Sequence, residues 1–382
     1  MDSYVFQSPG RIYCGADAVD VVADCCRQLK GKKVFVVTGR HISKIPYFAE
    51  IMETLEMNHF SCKTYISRQA EPTVDGVDAL AAVIREEPYD IVLAIGGGSI
   101  IDQAKAAAML VTNEGSIREY LFGGDKEVVT PPIPVIAIPT TAGSGSEVTA
   151  AAVVQDETRQ VKLSVTNRWM VPQMVIVDAK LHREMPFSVT VSTGMDALTH
   201  AIEAFCSKRA NVFSDMYARQ AMKLIAHNLP VAAQTPDDLE ARTNMEIASM
   251  MAAIAFSNGG LGAVHGISQA VGGLLPIPHG LANALLLPHV MELNVPGRPD
   301  RYAEIGRILG STNSGSEAAY DAVSVVKQWL QNFHMQKGLG QLGLTEEMVP
   351  WIVRETMAYR LLDCNPVVVT EDKIRNILDK AW

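Results

Sequence analysis

Four short apolar runs punctuate the first half of the chain: Val34–Thr38 (VFVVT), Ile91–Ile95 (IVLAI), Val135–Ile138 (VIAI) and Met174–Val177 (MVIV). Each is rich in β-branched residues and bounded by Gly, Pro or Asp, which reads as a buried strand. Between the first two, apolar positions recur at helical spacing around Tyr47–Met57 and Val74–Glu86. Strand, helix and strand in this order predict a parallel sheet covered on both faces. From about Ser188 the pattern changes to helical periodicity, as in Thr193–Lys208, Leu239–Asn258 and Ala318–Phe333. Ala and Met are frequent there, and both suit helix interiors. This shift places a boundary near Met185–Pro186. The expected architecture is an α/β nucleotide-binding domain over 1–186 and an all-α domain over 187–382. A ligand would be expected in the cleft between them. The 382 residues agree, being long for one core.

Composition adds mainly exclusions. Apolar residues make up 48% and charged residues 20%, the balance of a globular protein. A net charge of −9, with no basic run, argues against nucleic acid and anionic membrane as partners. No stretch of about 18 apolar residues suggests a membrane span. The opening decapeptide, MDSYVFQSPG, lacks the basic start and apolar run of a secretory signal. The six cysteines are scattered without a CxxC pair, so they read as reduced thiols of a cytoplasmic protein.

Three loops draw attention. Gly96-Gly97-Gly98-Ser99 follows one predicted strand and precedes a helix expected over Ile100–Thr112. Glycines let a backbone approach a ligand, and a helix start offers free N–H groups and a positive dipole end to phosphate. The loop is not the GxGxxG dinucleotide fingerprint, and a tight turn without a ligand is the competing reading. Pro139 to Glu147 (PTTAGSGSE) also follows a predicted strand and is crowded with hydroxyls suited to phosphate and ribose. Alone it reads equally as a polar connection. The first strand runs into Gly39, Arg40 and His41, with Lys44 nearby. An acid at such a strand end favours NAD; here none is present and Arg40 is available, which favours NADP.

In the second half, Asp196 and His200 stand four apart, one turn along one helix face. His265 lies in GAVHGIS and His279 in PIPHGLANA. One carboxylate and three imidazoles could hold a divalent transition metal. The same residues also read as an ordinary helix contact and two hydrogen-bonded core histidines.

Taken together, GGGSIIDQAK (96–105), PTTAGSGSEVT (139–149), TGMDALTHAIEAF (193–205) and PHGLANALLLPHV (278–290) resemble the iron-containing (group III) alcohol dehydrogenases in order and spacing. The resemblance extends from PGRIYCGADAV, like that family's opening β-segment, to NPVVVTEDKIRNIL near the C-terminus. It implies a dehydroquinate synthase-like two-domain fold. It also implies that Asp196, His200, His265 and His279 fall on the four metal positions, with Fe(II) as the native ion and Zn possible in its place. Gly97, Gly98, Ser99 and Asp102 fall on the pyrophosphate loop, Thr140, Thr141 and Ser146 on a cofactor-contacting segment, and Lys162 on a cofactor-contacting lysine. The family often shows a second histidine four residues after the one matching His265. Here that residue is Gln269, which can hydrogen-bond but cannot titrate near neutrality. The implied reaction is reversible hydride transfer between a primary alcohol or small diol and NAD(P). The metal acts as Lewis acid, and Asp196, the three histidines and Gln269 form the catalytic set. A glycerol dehydrogenase-like or dehydroquinate synthase-like enzyme, and a non-catalytic binding protein, stay open as alternatives. A homodimer or higher even-numbered assembly is the implied state.

Overall fold

The computed structural model describes Val5–Gln7 and Pro9–Trp382. Residues 1–4 and 8, part of the decapeptide read above for a signal, lie outside the described residues. The chain forms two compact units. An α/β unit comprises Ser8–Met185 and Pro236–Glu246. A helical unit comprises, among the described residues, Val5–Gln7, Pro186–Thr235 and Ile247–Trp382.

In the α/β unit eight strands form: β1 (Arg11–Cys14), β2 (Lys33–Gly39), β3 (Ser61–Ser67), β4 (Ile91–Gly96), β5 (Val135–Pro139), β6 (Ala151–Asp156), β7 (Val161–Thr166) and β8 (Met174–Val177). Six of them make one sheet in the order β1-β8-β5-β4-β2-β3, every pairing parallel. The strands β6 and β7 form a separate antiparallel pair. Helices α1 (Val22–Gln28), α2 (Pro46–Met57), α3 (Val74–Arg85) and α4 (Gly98–Thr112) cover the sheet. Val34, Val36, Leu93, Ile136 and Ile138 pack on one face with Cys26, Phe48, Ile51 and Leu55. Phe35, Val37, Val92, Ala94 and Val135 pack on the other with Val77, Leu80, Ile84 and the alanines of α4. Successive side chains of a strand point to opposite faces, and both faces here are dry. That is why the central strands read as unbroken apolar runs. Each such Val, Leu or Ile contributes roughly 1.5–3 kcal/mol on burial.

The parallel sheet of the N-terminal half and the helical C-terminal half are as the sequence led us to expect. Four strands were not expected from patterning, and of these β1 was expected only from the family resemblance. Ser61–Ser67 (SCKTYIS) is an edge strand with one neighbour and largely solvated side chains. The β6–β7 ribbon is short and buries Ala152, Val154 and Asp156 of its first strand and Val161, Lys162 and Val165 of its second, so its apolar signal is faint. The helix after the triple glycine begins at Gly98, two residues earlier than expected.

The helical unit is built from α5 (Phe187–Cys206), α6 (Val212–Gln234), most of α7 (Leu239–Gly259), α8 (Ala263–Leu274), α9 (His279–Asn294), α10 (Pro299–Ile308), α11 (Gly315–Asn332), α12 (Val349–Met357) and α13 (Glu371–Lys380). The α5 helix starts directly after Pro186, six residues ahead of the expected Thr193. Between α7 and α8 the chain bends by 104°. Gly260 there has φ +86°, a left-handed conformation that favours glycine. No single helix among the described residues is long and apolar enough to cross a membrane; the bent α7–α8 pair passes by length and composition only. All six cysteines are free thiols.

Candidate active site

The strand order fixes where a ligand can sit in the α/β unit. From β2 the chain moves outward to β3, then crosses back to β4 on the other side of β2. In open parallel sheets the crevice at such a reversal, beyond the carboxyl ends of the strands, is the usual ligand site. Gly39 ends β2, Gly96 ends β4 and Pro139 ends β5 in aligned register. All three glycine- and hydroxyl-bearing loops therefore emerge at the same edge.

These loops touch one another. The Thr140 N–H donates to the Gly96 carbonyl at 3.1 Å. A Cβ on Gly98 would stand 2.3 Å from Ser144 Oγ, and one on Gly97 would stand 3.0 Å from Thr141 Oγ1. Glycine is required at 98 by this close approach. Gly97, Gly98, Ser99 and Thr141 are half-buried, while Thr140 is buried. Gly97 takes the N-cap position of α4 with no side-chain cap, which leaves the first-turn N–H groups of a fifteen-residue helix facing this edge. Arg40 is exposed. Its neighbour His41 lies 4.0 Å from Glu184, the carboxylate that stands by this strand end.

Asp102 and Ser146 are committed inward. The Ser146 hydroxyl donates to Asp102, whose other carboxylate oxygen accepts the Val153 N–H at 2.8 Å. Lys105, fully buried on the same helix, donates to the Ser146 carbonyl (2.8 Å), the Ser146 and Thr149 hydroxyls and the Ala151 carbonyl. It also lies 3.6 Å from Asp102. Burial pulls the Lys105 ammonium down and pushes the Asp102 carboxyl up, against their mutual attraction. This network ties α4 to the second loop and to β6. Lys162 lies on β7, buried, 3.4 Å from Glu71. Glu147, in the same loop, is buried and pushed up to about 7 by desolvation. Glu246 is buried as well, and burial together with Glu147 holds its carboxyl protonated far above the usual range.

The second cluster belongs to the helical unit. Asp196, His200 and Glu203 occupy one stripe of α5 at spacings of four and three, all buried. His265 lies in the first turn of α8 and His279 opens α9. Asp196 Oδ1 is 3.8 Å from His265 Nε2, 3.9 Å from His279 Nε2 and 3.9 Å from His200 Nε2. The ligand atoms of Asp196, His265 and His279 all lie within 4.8 Å of one another. The His200 ring stacks on that of His265 at 4.6 Å and reaches the group through Asp196. His279 is about a third exposed (31%), so the cluster opens to solvent on that side. Gly280 permits this assembly. A Cβ there would stand 2.2 Å from the Ser192 carbonyl and 3.2 Å from Asp196 Cβ.

Asn283, one turn after His279, marks the point of convergence. Its amide nitrogen lies 2.6 Å from Asp196 Oδ1 and 3.1 Å from both His265 Nε2 and His279 Nε2. Three lone pairs therefore aim at one place. Two ligand atoms each about 2.0–2.2 Å from one ion are at most about 4.4 Å apart, and all three distances from Asp196 satisfy that limit. The carboxylate and imidazole donor set fits a divalent transition metal. Burial raises the Asp196 carboxyl, but the three imidazoles and the Asn283 amide outweigh it and hold it below the usual range.

Sequence reasoning passed over two residues here, Glu203 and Asn283. Both stand inside segments singled out above, one helical turn beyond His200 and His279 respectively. Gln269 is one turn beyond His265 on α8 and half-buried.

Residues 9–179 match the family model described as iron-containing alcohol dehydrogenase. Residues 190–382 match that of the Fe-containing alcohol dehydrogenase family, C-terminal. The chain is 36% identical over 379 residues to the NAD-dependent methanol dehydrogenase of Bacillus methanolicus, covering 98% of this chain and 99% of that one. It is 34% identical to the 1,3-propanediol dehydrogenase of Klebsiella pneumoniae, covering 98% and 97%. Among solved structures, that of a 1,3-propanediol oxidoreductase superposes with a TM-score of 0.95 at 33% identity, covering both chains completely.

Proposed function

The chain belongs to the iron-containing alcohol dehydrogenase family and is an alcohol oxidoreductase, and from that premise we propose how its own residues divide the work. Residues 187–382 hold a divalent metal through Asp196, His200, His265 and His279. Residues 1–186 hold the nicotinamide dinucleotide at Gly39, Arg40, Gly97, Gly98, Ser99, Thr140 and Thr141. The observation that carries this reading is the convergence of Asp196, His265 and His279 on the Asn283 amide nitrogen.

When bound, Fe(II), or Zn(II) in its place, supplies Lewis acidity at the substrate oxygen, and the dinucleotide gives or takes the hydride. Asp196 contributes the one negative charge of the ligand set, while neutral imidazoles keep the centre electrophilic. The buried walls around Asp196, His200 and His265 exclude water and strengthen every polar interaction inside. The start of α4 orients the pyrophosphate. Asp102, Ser146 and Lys162 act on the cofactor by holding its loops, since their polar atoms are engaged within the unit. Gln269 orients the substrate by hydrogen bonding without moving a proton.

Short primary alcohols and diols, with their aldehydes, are the substrate class, in keeping with relatives named for methanol and 1,3-propanediol. NADP is favoured, because Arg40 offers a guanidinium to receive a 2′-phosphate, while the carboxylate by this strand end, Glu184, lies 4.0 Å from His41. An enzyme of the cytoplasm fits the six free thiols, and the family resemblance implies a homodimer or higher even-numbered assembly. The test is anaerobic aldehyde reduction by Fe(II)-loaded protein, followed at the NAD(P)H absorbance with Asp196→Ala as control. Oxidation of NADPH well above NADH, lost in the variant, is the expected result. A preference for NADH would overturn the cofactor assignment. Full activity in Asp196→Ala would overturn the ligand set.

A further inference from the structure

We propose that Glu203 is a positioning residue for the metal centre, setting both the tautomer and the aim of His265. The proposal rests on the ligand set given above. Glu203 is buried on α5, seven residues after Asp196, and so lies on the same stripe. One of its carboxylate oxygens, Oε2, lies 2.6 Å from His265 Nδ1. The other accepts the Val264 N–H at 2.7 Å. Two functions are joined in one carboxylate: it caps the N-terminus of α8 and grips the first-turn histidine of that helix.

With both Glu203 oxygens acting as acceptors, the two contacts are accounted for together. An ionised carboxylate only accepts hydrogen bonds, so His265 Nδ1 carries a proton. A neutral imidazole with Nδ1–H keeps its lone pair on Nε2. That nitrogen faces Asp196 Oδ1 at 3.8 Å, and the Asn283 amide donates to it at 3.1 Å. The two ends of the ring therefore agree. A carboxylate behind a metal-binding imidazole also raises the basicity of the far nitrogen, and loss of such a partner typically costs about 10–100-fold in metal affinity. The local backbone is shaped for this contact. Gly262 precedes α8, and a Cβ there would stand 3.0 Å from Glu203 Oε1 and 2.9 Å from Asn365 Oδ1. Asn365 accepts the neighbouring Ala263 N–H at 3.2 Å, so the start of α8 is held without help from Glu203 alone.

Glu203→Gln is the discriminating change. A glutamine keeps the shape but replaces one oxygen by a donor. If its oxygen meets Val264 N–H, its NH2 meets His265 Nδ1 and forces the proton to Nε2, the metal-facing atom. If its oxygen meets His265, its NH2 confronts Val264 N–H. Affinity for Co(II) and Zn(II) would be measured by competition with a chromophoric chelator, with the visible spectrum of the Co(II) protein recorded alongside. The expected result is a loss of about 10–100-fold with an altered Co(II) spectrum. Wild-type affinity and spectrum in Glu203→Gln would overturn the proposal and leave Glu203 a helix cap.

His265→Ala separates the two readings. If it too retains full affinity, the ligand set is wrong. If it loses the metal while Glu203→Gln does not, only the role of Glu203 is wrong. Should Glu203→Gln fail to fold, nitrogen chemical shifts of 15N-histidine in the Zn(II)-loaded wild-type protein decide. The proposal requires Nδ1–H at His265, and a proton on Nε2 or a metal-bound Nδ1 would overturn it.

Discussion

Lys105→Met tests whether the buried network under the second loop is held by charge. In the wild-type protein the Lys105 ammonium sits at full burial among the Ser146 and Ala151 carbonyls, the Ser146 and Thr149 hydroxyls, and the Asp102 carboxylate. Methionine fills similar space without a donor. Asp102 is then left with the Ser146 hydroxyl and the Val153 N–H as its remaining partners. The Ser146 and Ala151 carbonyls lose their Lys105 donor. Removing one partner of a buried pair costs about 3–5 kcal/mol, chiefly for the charge left behind. Asp102→Asn alone leaves the fully buried Lys105 ammonium without its carboxylate and costs a similar amount, about 3–5 kcal/mol. The double variant therefore falls short of the sum of the single costs by at least about 1 kcal/mol. Equilibrium urea unfolding followed by circular dichroism measures all four proteins. On the proposed assignment of the 139–147 loop to the cofactor, the Lys105→Met variant also shows a raised KM for the dinucleotide with its metal affinity unchanged. A Lys105→Met stability within about 1 kcal/mol of wild type, or strict additivity in the double variant, would refute the assignment of this network to charge pairing.

Gly280→Ala places a methyl 2.2 Å from the Ser192 carbonyl, a backbone atom that cannot turn aside. Separation of α9 from α5 is the expected relief, costing on the order of 1–3 kcal/mol and weakening Co(II) binding as His279 moves from Asp196. An unchanged melting temperature and Co(II) affinity would contradict that packing. Glu147→Gln addresses pH. Burial raises the folded-state Glu147 carboxyl from 4.5 to about 7. Its protonated form therefore contributes stability that is complete below about pH 4.5 and lost as pH rises through 7, on the order of 3 kcal/mol in all. The glutamine variant lacks that decline, so it should exceed wild type in stability at pH 8 by more than at pH 4.5, and a constant difference across that window would count against it.

How far the sequence reaches depends on what each feature is made of. The central strands β2, β4, β5 and β8 declared themselves because both their faces are dry, which leaves Thr38, at the end of its run, as the one polar residue in the four runs. The edge strand β3 has one neighbour and half-wet faces, so Lys63, Thr64 and Ser67 conceal it. Asp196 and His200 stand out through helical spacing, and the structure brings His265 and His279, fourteen residues apart in different helices, to them. Glu203 and Lys105 were in plain view inside quoted segments. Nothing local says that a glutamate will turn inward onto a histidine 62 residues away, or that a lysine will be buried outright. Those facts belong to tertiary packing. A carboxylate seven residues after Asp196 on a helix already carrying Asp196 and His200 is the signal that would have found the first.

Strand β1 pairs along its whole length with β8, with Arg11 beside Met174 and Cys14 beside Val177. During synthesis β1 must therefore wait until about 160 further residues have been made before β8, its one neighbour among the described residues, exists. At ordinary ribosomal rates of about 5–20 residues per second this is an interval of roughly 10–30 s. Gln7 waits longer, since the side chain of Asn258 that bonds its backbone lies 251 residues on. The α/β sheet thus grows from its β3 edge and closes last at its β1 edge. Until then the nascent chain exposes an unpaired strand and the open flank of β5, which makes this edge the region where a chaperone, or a second nascent copy, would first find a hold.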